Sequence, residues 1–441
     1  MTERDTIFAL SSGGLPSGVA VIRVSGPASL DVCHELAGSI PRDRVATLKT
    51  IRSRDGLPID QALILVFRAP RSFTGEDCVE FQVHGGKAVV RALLAAISEY
   101  PGCRMAEGGE FSRRAFENGK LDLVEIEGLS DLITAETEMQ RRLALEQSGG
   151  HLSELYSAWR AQLIRSRALI EAELDFSDEG DIPGSVSDQI WDELKGLRAE
   201  IARHLGQFRI GEIIRDGFKV AIIGPPNAGK SSLLNALARR DVAIVTEHAG
   251  TTRDIIQCDL DIDGYAVQLY DTAGLRETAD AIELEGIRRA TSLIEQCNLV
   301  LSLSEIGQRP MDAADLNISV PLLSVGTKSD AHAAASESCS YDVIISTMNS
   351  SGLDTLLDAL RRAIVADVGH ELGMLPARLR QAEHVRDVYA SVDQALSGEE
   401  FALEVRAEYL RNAGDAIGRL TGRIDVETLL GSIFSEFCVG K

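Results

Sequence analysis

Apolar residues in the first 118 positions come in short runs. Residues 19–24 (VAVIRV), 62–67 (ALILVF) and 79–84 (VEFQVH) are apolar or alternate with polar residues. Gly, Pro and Ser flank them, which predicts strands. Residues 87–100 follow Gly85-Gly86 with helical spacing, so this region reads as α+β. From about Leu121 the texture changes. Apolar positions recur at helical spacing to Leu145, again over 152–174, and again over 190–214, with an acidic loop expected at 175–187.

At Phe218 the pattern switches to strands alternating with helices. Residues 218–223, 266–270, 299–303, 322–325 and 343–345 are the predicted strands. Such alternation implies a parallel sheet with crossover helices. A helix is expected at 353–365, then a link at 369–376, then long helical segments to Phe437. The predicted architecture is multidomain, α+β and α/β. Residues 1–118 form an N-terminal domain, 119–216 and 366–441 a discontinuous helical domain, and 217–365 an inserted α/β domain.

The 441 residues carry 45 basic and 67 acidic side chains, a net charge of −22. With 44% hydrophobic and 25% charged residues, the composition is that of a globular protein. No apolar stretch reaches the ~18 to 20 residues of a membrane helix, and the start, MTERDTIFAL, lacks a signal-peptide core. A cytoplasmic protein without a membrane partner is expected. The seven cysteines are scattered, with no C-x-x-C pair, which argues against a disulfide framework or a zinc site. Residues 1–118 hold 14 bases and 14 acids, and 217–365 hold 12 and 20, so neither is a basic patch. If the chain acts on nucleic acid, a basic partner subunit is expected to help hold it.

Residues 219–233 read KVAIIGPPNAGKSSL, which contains G-x-x-x-x-G-K-[ST] between a predicted strand and a predicted helix. Backbone amides and the helix N-terminus can cradle phosphate here. Lys230 can reach the β- and γ-phosphates, and Ser231 can ligate Mg²⁺. Three later elements specify the nucleotide. Gly250-Thr251-Thr252-Arg253-Asp254 offers a second Mg²⁺ ligand. Asp271-Thr272-Ala273-Gly274 brings a carboxylate towards Mg²⁺ and an amide towards the γ-phosphate. In Thr327-Lys328-Ser329-Asp330 the aspartate can accept from guanine N1 and N2, which adenine does not offer. In this order the elements resemble a P-loop GTPase. The expected GTP contacts are Asn227, Ala228, Gly229, Lys230, Ser231 and Ser232, the loop Thr246, Glu247, His248, Ala249, Gly250, Thr251 and Thr252, and the Asp271 and Thr327 motifs.

Three departures stand out. The guanine motif is usually N-K-x-D, and Thr327 replaces its Asn, so one amide contact is lost and reduced affinity or selectivity is expected. Ser346-Thr347 stands where Ser-Ala is usual. Leu275 follows Gly274, where many such enzymes place a water-orienting Gln, so another group must orient water. The side-chain carbonyl of Asn227, with oxygens from 246–251, could hold a monovalent cation against the phosphates.

Segments outside the α/β part share one pattern: DTIFA at 5–9, GVAVIRVSG at 18–26, SFTGED at 72–77, His84-Gly85-Gly86, GEFSRRAF at 109–116, NGKLDL at 118–123 and a terminal CVGK at 438–441. With NAGKSSLLNAL and AGTTRD, the whole chain resembles the MnmE (TrmE) family of tRNA-modification GTPases. The resemblance implies an N-terminal domain that binds folate and dimerises, a helical domain, and an inserted G domain. It implies a homodimer working with a GidA (MnmG)-type FAD protein, as a heterotetramer, on tRNA. Together they would build an aminomethyl or carboxymethylaminomethyl group at C5 of the wobble uridine. The one-carbon unit would come from 5-formyl-tetrahydrofolate or another tetrahydrofolate derivative. GTP hydrolysis would use K⁺ and pairing of two G domains.

By motif, the resemblance implies Arg23, Glu80, Lys120 and Lys441 as folate-site residues. It implies Asn227, Thr246, His248 and Thr251 at the K⁺ site, and Ser231 with Thr252 at the Mg²⁺ site. Glu283 would position water, alongside Lys230 as the other catalytic residue. The family's Cys near folate corresponds to Cys438, with a half-buried structural thiol the open alternative. A different reading of the G domain alone is a GTP-switched assembly factor. Such proteins usually bring a basic RNA-binding domain, which is missing here, and Arg23, Glu80, Lys120 and the CVGK end have no role in it.

Overall fold

The computed structural model describes residues 5–175, 186–240, 242–244, 256–271, 293–312, 318–331, 341–369, 373–397, 402–424, 433 and 440. They fall into two compact units. One comprises Met1–Ser130, Ser148–Ala161 and Gly414–Lys441, the other Asp131–Gln147 and Gln162–Ala413. Among the described residues no helix is long and apolar enough to cross a membrane.

The first unit is built on six strands: β1 (Thr6–Leu10), β2 (Ser17–Ser25), β3 (Thr47–Arg52), β4 (Pro58–Phe67), β5 (Cys78–Gly85) and β6 (Cys103–Met105). They form one sheet in the order β3-β4-β5-β2-β1-β6. The β1–β6 pair is parallel and the others are antiparallel. Alternation along β2 and β5 sends Ile22, Val24, Val79 and Phe81 to one face. There they meet Val32 and Leu36 of α1 (Ser29–Ala37) and Val90, Leu93 and Ile97 of α2 (Lys87–Ser98). Each such side chain, taken fully out of water, contributes about 1.5–3 kcal/mol.

The same alternation sends Arg23 and Glu80 to the other face. Register pairs Ala9 with Arg23, Arg23 with Glu80, and Glu80 with Leu65, a row across four strands. A second small core of Ile7, Ala9, Ala106 and Phe111, with Phe73, packs on this side. Phe111 belongs to α3 (Glu110–Glu117). In the following helix, α4 (Leu123–Thr134), Leu123 and Ile126 cluster with Phe116, Leu121 and Ile433.

The second unit holds the α/β sheet of β7 (Phe218–Ile223), β8 (Ile256–Ile262), β9 (Tyr265–Asp271), β10 (Leu299–Glu305), β11 (Leu322–Thr327) and β12 (Val343–Ile344). Its order is β12-β11-β10-β7-β9-β8, parallel except for β8 against β9. Nearly every residue of β7 and β10 is buried, as expected of strands covered on both faces. Val220, Ile222 and Leu301 pack with Leu233 and Leu356 on one face, and Ala221, Ile223 and Val300 pack with Ile294 on the other.

Helices α5 (Glu138–Ser148), α6 (His151–Asp175), α7 (Val186–Gly206) and α8 (Phe208–Asp216) lead to this sheet. Helix α9 (Lys230–Ala238) follows its first strand, and α10 (Leu353–Val368), α11 (Leu379–Ser397) and α12 (Leu403–Leu420) follow its last. Arg406 ties α12 to its neighbours. Its guanidinium lies 3.4 Å from the Trp191 ring centroid, and its Nε donates to the Ala395 carbonyl at 2.7 Å.

The polypeptide enters and leaves the sheet beside α5. Gln140 Nε2 donates to the Arg215 carbonyl and Gln147 Nε2 to the Leu375 carbonyl, each at 3.0 Å. Asp131 bridges the same two stretches. Its carboxylate lies 3.2 Å from Arg215 Nε and 2.7 Å from Arg378 NH2. Gly211 permits the close approach, because a Cβ there would meet the Pro376 carbonyl oxygen at 2.3 Å.

The expected strands and helices are present, with different ends. The helical texture to Leu145 breaks at 135–137, and that of 190–214 breaks at Gln207. Strands β1, β3, β6 and β8 and helices α1 and α3 were not anticipated. Most of the expected acidic loop at 175–187 lies outside the described residues, as does most of the stretch from 425 to Phe437.

Candidate functional site

Two sites can be built from the described residues, one in each unit. The first is the phosphate loop of the second unit. Strand β7 ends at Ile223 and α9 begins at Lys230. Gly224 has φ 149°, and a Cβ there would lie 2.3 Å from the Leu303 carbonyl oxygen, so only glycine passes β10 at this turn. Asn227 has φ 66°, a region that Asn tolerates better than most residues. Lys230 is buried and its Nζ donates to the Gly224 and Pro225 carbonyls at 2.9 and 3.1 Å. The ammonium thus sits inside the loop, where a phosphate would be cradled.

Ser231 Oγ donates to Asp271 Oδ2 at 3.1 Å. Parallel pairing of β7 with β9 brings the two residues together, because Asp271 ends β9 next to Ile222. A hydroxyl and a carboxylate are hard oxygen donors of the kind Mg²⁺ takes. The two groups fit that ion chemically: Ser231 could ligate it, with Asp271 beside it. Thr246–Thr252, Thr272–Gly274 and Glu283 lie outside the described residues.

The guanine motif follows β11. Thr327 is buried, and its hydroxyl donates to the Ala228 carbonyl at 2.9 Å while lying 3.2 Å from the Ser304 carbonyl. Lys328 has φ 59° and pairs with Glu305 at 2.7 Å. Asp330 Oδ1 accepts from Ser346 Oγ at 2.5 Å, and Ser346 Oγ accepts from the Met348 amide at 3.2 Å. Ser346 of the loose Ser346-Thr347 element therefore sits against the Asp330 carboxylate. Glu305 and Ser304 were not anticipated. They end β10, one strand over from the motif, a relation that only sheet order reveals.

The second site lies on the Arg23–Glu80 row. Arg23 NH2 and Nε reach Glu80 Oε1 at 2.9 and 3.0 Å. The guanidinium also stacks on two rings, 5.1 Å from Phe73 and 5.5 Å from Phe111. Neither phenylalanine was anticipated, although both belong to the SFTGED and GEFSRRAF segments. Those segments are fixed by a buried brace. Arg114 NH1 lies 3.2 Å from Glu76 Oε2, Ser25 Oγ donates to Glu76 Oε2 at 2.8 Å, and Asn118 Nδ2 donates to the Thr74 carbonyl at 2.7 Å.

Lys120 comes to the same neighbourhood. It lines a pocket of about 410 Å³ with Arg44, Phe67, Arg71, Ser72 and Phe73. Gly75 makes room, since a Cβ there would meet Lys120 Cγ at 3.2 Å. Cys438 and Lys441 lie outside the described residues, but Gly440 does not. A Cβ on Gly440 would stand 2.0 Å from the Leu10 carbonyl oxygen, so Gly440 itself lies against the end of β1. Burial pushes the nearby Cys78 thiol up to about 12, which leaves it protonated and inert at neutral pH.

Comparison with known proteins brings the two sites under one heading. Residues 6–120 match the family description "GTP-binding protein TrmE N-terminus", and residues 123–438 match "MnmE helical domain". A protein of Rhizobium etli (strain CIAT 652) named "tRNA modification GTPase MnmE" is 55% identical over 437 residues, 99% of each chain. This chain belongs to the MnmE family of tRNA-modification GTPases. MnmE proteins of Rhizobium meliloti (strain 1021) and Agrobacterium fabrum (strain C58 / ATCC 33970) are 55% identical over 442 residues and 52% identical over 438. They cover 100% and 99% of this chain and the same shares of their own. The chain is accordingly a GTP hydrolase of tRNA modification.

Proposed function

We propose that the protein is a K⁺-activated GTPase that modifies the wobble uridine of certain tRNAs. With a GidA (MnmG)-type FAD partner, it installs aminomethyl or carboxymethylaminomethyl groups at C5. The observation that carries this reading is the Arg23–Glu80 pair stacked on Phe73 and Phe111, in a chain that also holds a complete phosphate loop. A phosphate loop alone would fit any GTP switch. A carboxylate flanked by a guanidinium and aromatic rings suits a flat heterocycle with N–H donors and an anionic tail, as in a tetrahydrofolate. Bound there, the tetrahydrofolate derivative supplies a one-carbon unit.

Each residue has a definite task in this reading. Glu80 accepts from the pterin N–H groups, Arg23 holds the Glu80 carboxylate in orientation, and Lys120 and Lys441 meet the anionic tail. Lys230 exchanges the Gly224 and Pro225 carbonyls for phosphate oxygens. Ser231 and Thr252 would hold Mg²⁺, and Asn227 with Thr246, His248 and Thr251 would hold K⁺. Glu283 would orient the attacking water. G-domain closure during hydrolysis then reorders the complex with the partner and tRNA. The domain division is 1–118, 119–216 with 366–441, and 217–365. A homodimer through the N-terminal domain has support at the sheet edge. Leu48 on β3 pairs directly with Leu63 on β4, and they are 63% and 42% exposed. An exposed apolar edge strand is normally covered.

The test is mass spectrometry of wobble nucleosides in bulk tRNA from cells lacking the protein, complemented with wild type, E80Q or K230A. Loss of the aminomethyl-type nucleosides, restored by wild type alone, is the expected result. Full restoration by E80Q would remove the folate role, and unchanged nucleosides in the deletion strain would remove the tRNA role.

A further inference from the structure

The pocket beside Phe73 holds more positive charge than a single folate carboxylate pair requires. Arg44, Arg71 and Lys120 line it together with Phe67, Phe73 and Ser72, and among the described residues no carboxylate lines it. None of the three cations has an ion-pair partner among the described residues. Arg44 is fixed instead. Its guanidinium lies 5.4 Å from the Phe67 ring centroid and donates to the Arg71 carbonyl, which holds the Arg44 side chain and the Arg71 backbone in place. Phe73 faces this pocket and also stacks under Arg23. A ligand whose ring meets the Arg23–Glu80 pair would therefore send its far end past Phe73 towards three cations. The pocket, at about 410 Å³, holds a few amino-acid residues rather than a nucleic-acid helix.

We infer that this pocket binds an oligo-γ-glutamyl tail, so that the protein selects polyglutamylated over monoglutamylated tetrahydrofolates. The inference rests on the folate reading above and extends it. Each added glutamyl unit brings one carboxylate, and three convergent cations match a tail of several. The Arg44 guanidinium, already held in place, binds a carboxylate with little further loss of rotamer freedom, and Arg71 and Lys120 add charge beside it.

The experiment is calorimetric titration of the full-length protein with 5-formyl-tetrahydrofolate as monoglutamate and as pentaglutamate, at low and at physiological salt. Wild type is expected to bind the pentaglutamate about tenfold more tightly, the combined yield of two or three solvent-exposed ion pairs. The gap should narrow as salt rises. In R44Q and R71Q the monoglutamate affinity should hold while the gap falls to about threefold or less. Both side chains are exposed, so the fold is expected to persist, and thermal melts verify it. Equal wild-type affinities for the two ligands would overturn the inference and leave the folate site standing. Binding of neither ligand would overturn the folate reading itself. A loss of tRNA affinity in R44Q and R71Q, with the pentaglutamate preference intact, would reassign the pocket to RNA phosphates and also overturn it.

Discussion

The Thr327 hydroxyl donates to the Ala228 carbonyl, tying the guanine motif to the phosphate loop at 2.9 Å. The sequence suggested only a loss at this position, because Thr lacks the amide of the usual Asn. The structure gives Thr a task of its own: it satisfies a loop carbonyl in a buried place. Thr327→Val should therefore leave that acceptor short of a donor, at a cost of about 1–2 kcal/mol. GTP affinity should fall roughly five- to thirtyfold. Thr327→Asn keeps a donor and should bind GTP at least as well as wild type. Fluorescent-nucleotide titration of both variants checks the pair, and an unaffected valine variant would show that the contact does not support the loop.

Lys230 offers a sharper contrast between binding and stability. Its ammonium holds two loop carbonyls in the absence of nucleotide. Lys230→Ala should lower GTP turnover by at least about 100-fold, the scale of removing one transition-state donor. The melting temperature should change little, since the carbonyls can turn to water. Turnover within a few-fold of wild type would contradict the assignment.

On the folate reading, the Arg23–Glu80 pair serves binding more than stability. Partly exposed ion pairs are worth about 0–1 kcal/mol, and the ring contacts add about as much. Glu80→Gln should thus melt within a few degrees of wild type and lose tetrahydrofolate binding by about tenfold or more. Calorimetry with 5-formyl-tetrahydrofolate reads the second effect, and a variant that binds normally would remove Glu80 from the site.

Acid sensitivity has an identifiable source in α7. His204 is 5% exposed, and burial lowers its pKa from 6.5 to about 4. The unfolded chain takes up this proton first, so folding stability is complete above pH 6.5 and falls as pH drops towards 4. The full loss is about 3 kcal/mol. His204→Leu should flatten melting temperature against pH over that interval. Curves that stay parallel would place the acid sensitivity elsewhere.

Much of the fold could be read in advance where the chain is regular. The run at 218–223 matched β7 residue for residue, because a strand buried on both faces reads as unbroken apolar sequence. Strand β3 (TLKTIR) escaped notice because it is an edge strand with only Ile51 fully buried. Helix α3 (EFSRRAFE) escaped because it is only eight residues long and half of them are charged, with Phe111 and Ala115 alone as its buried apolar residues. The site divided in the same way. Lys230, Ser231 and Asp271 announce themselves through spacing. The Thr327–Ser304 contact and the Phe73 and Phe111 rings around Arg23 depend on which strands are neighbours, and no local pattern carries that.

Gln140 and Gln147 hold the way into the α/β sheet and the way out of it on one face of a single helix. Seven residues of helix span about 10 Å, so the two crossing points are near neighbours whatever lies between them. To the flanking helices, the whole α/β sheet is a closed loop with a short base. Its length adds little entropy cost to their folding. The α/β sheet can therefore vary in length as a module without separating those two crossing points. A protease cut inside the module would leave the two halves of the chain still joined, side by side, on α5.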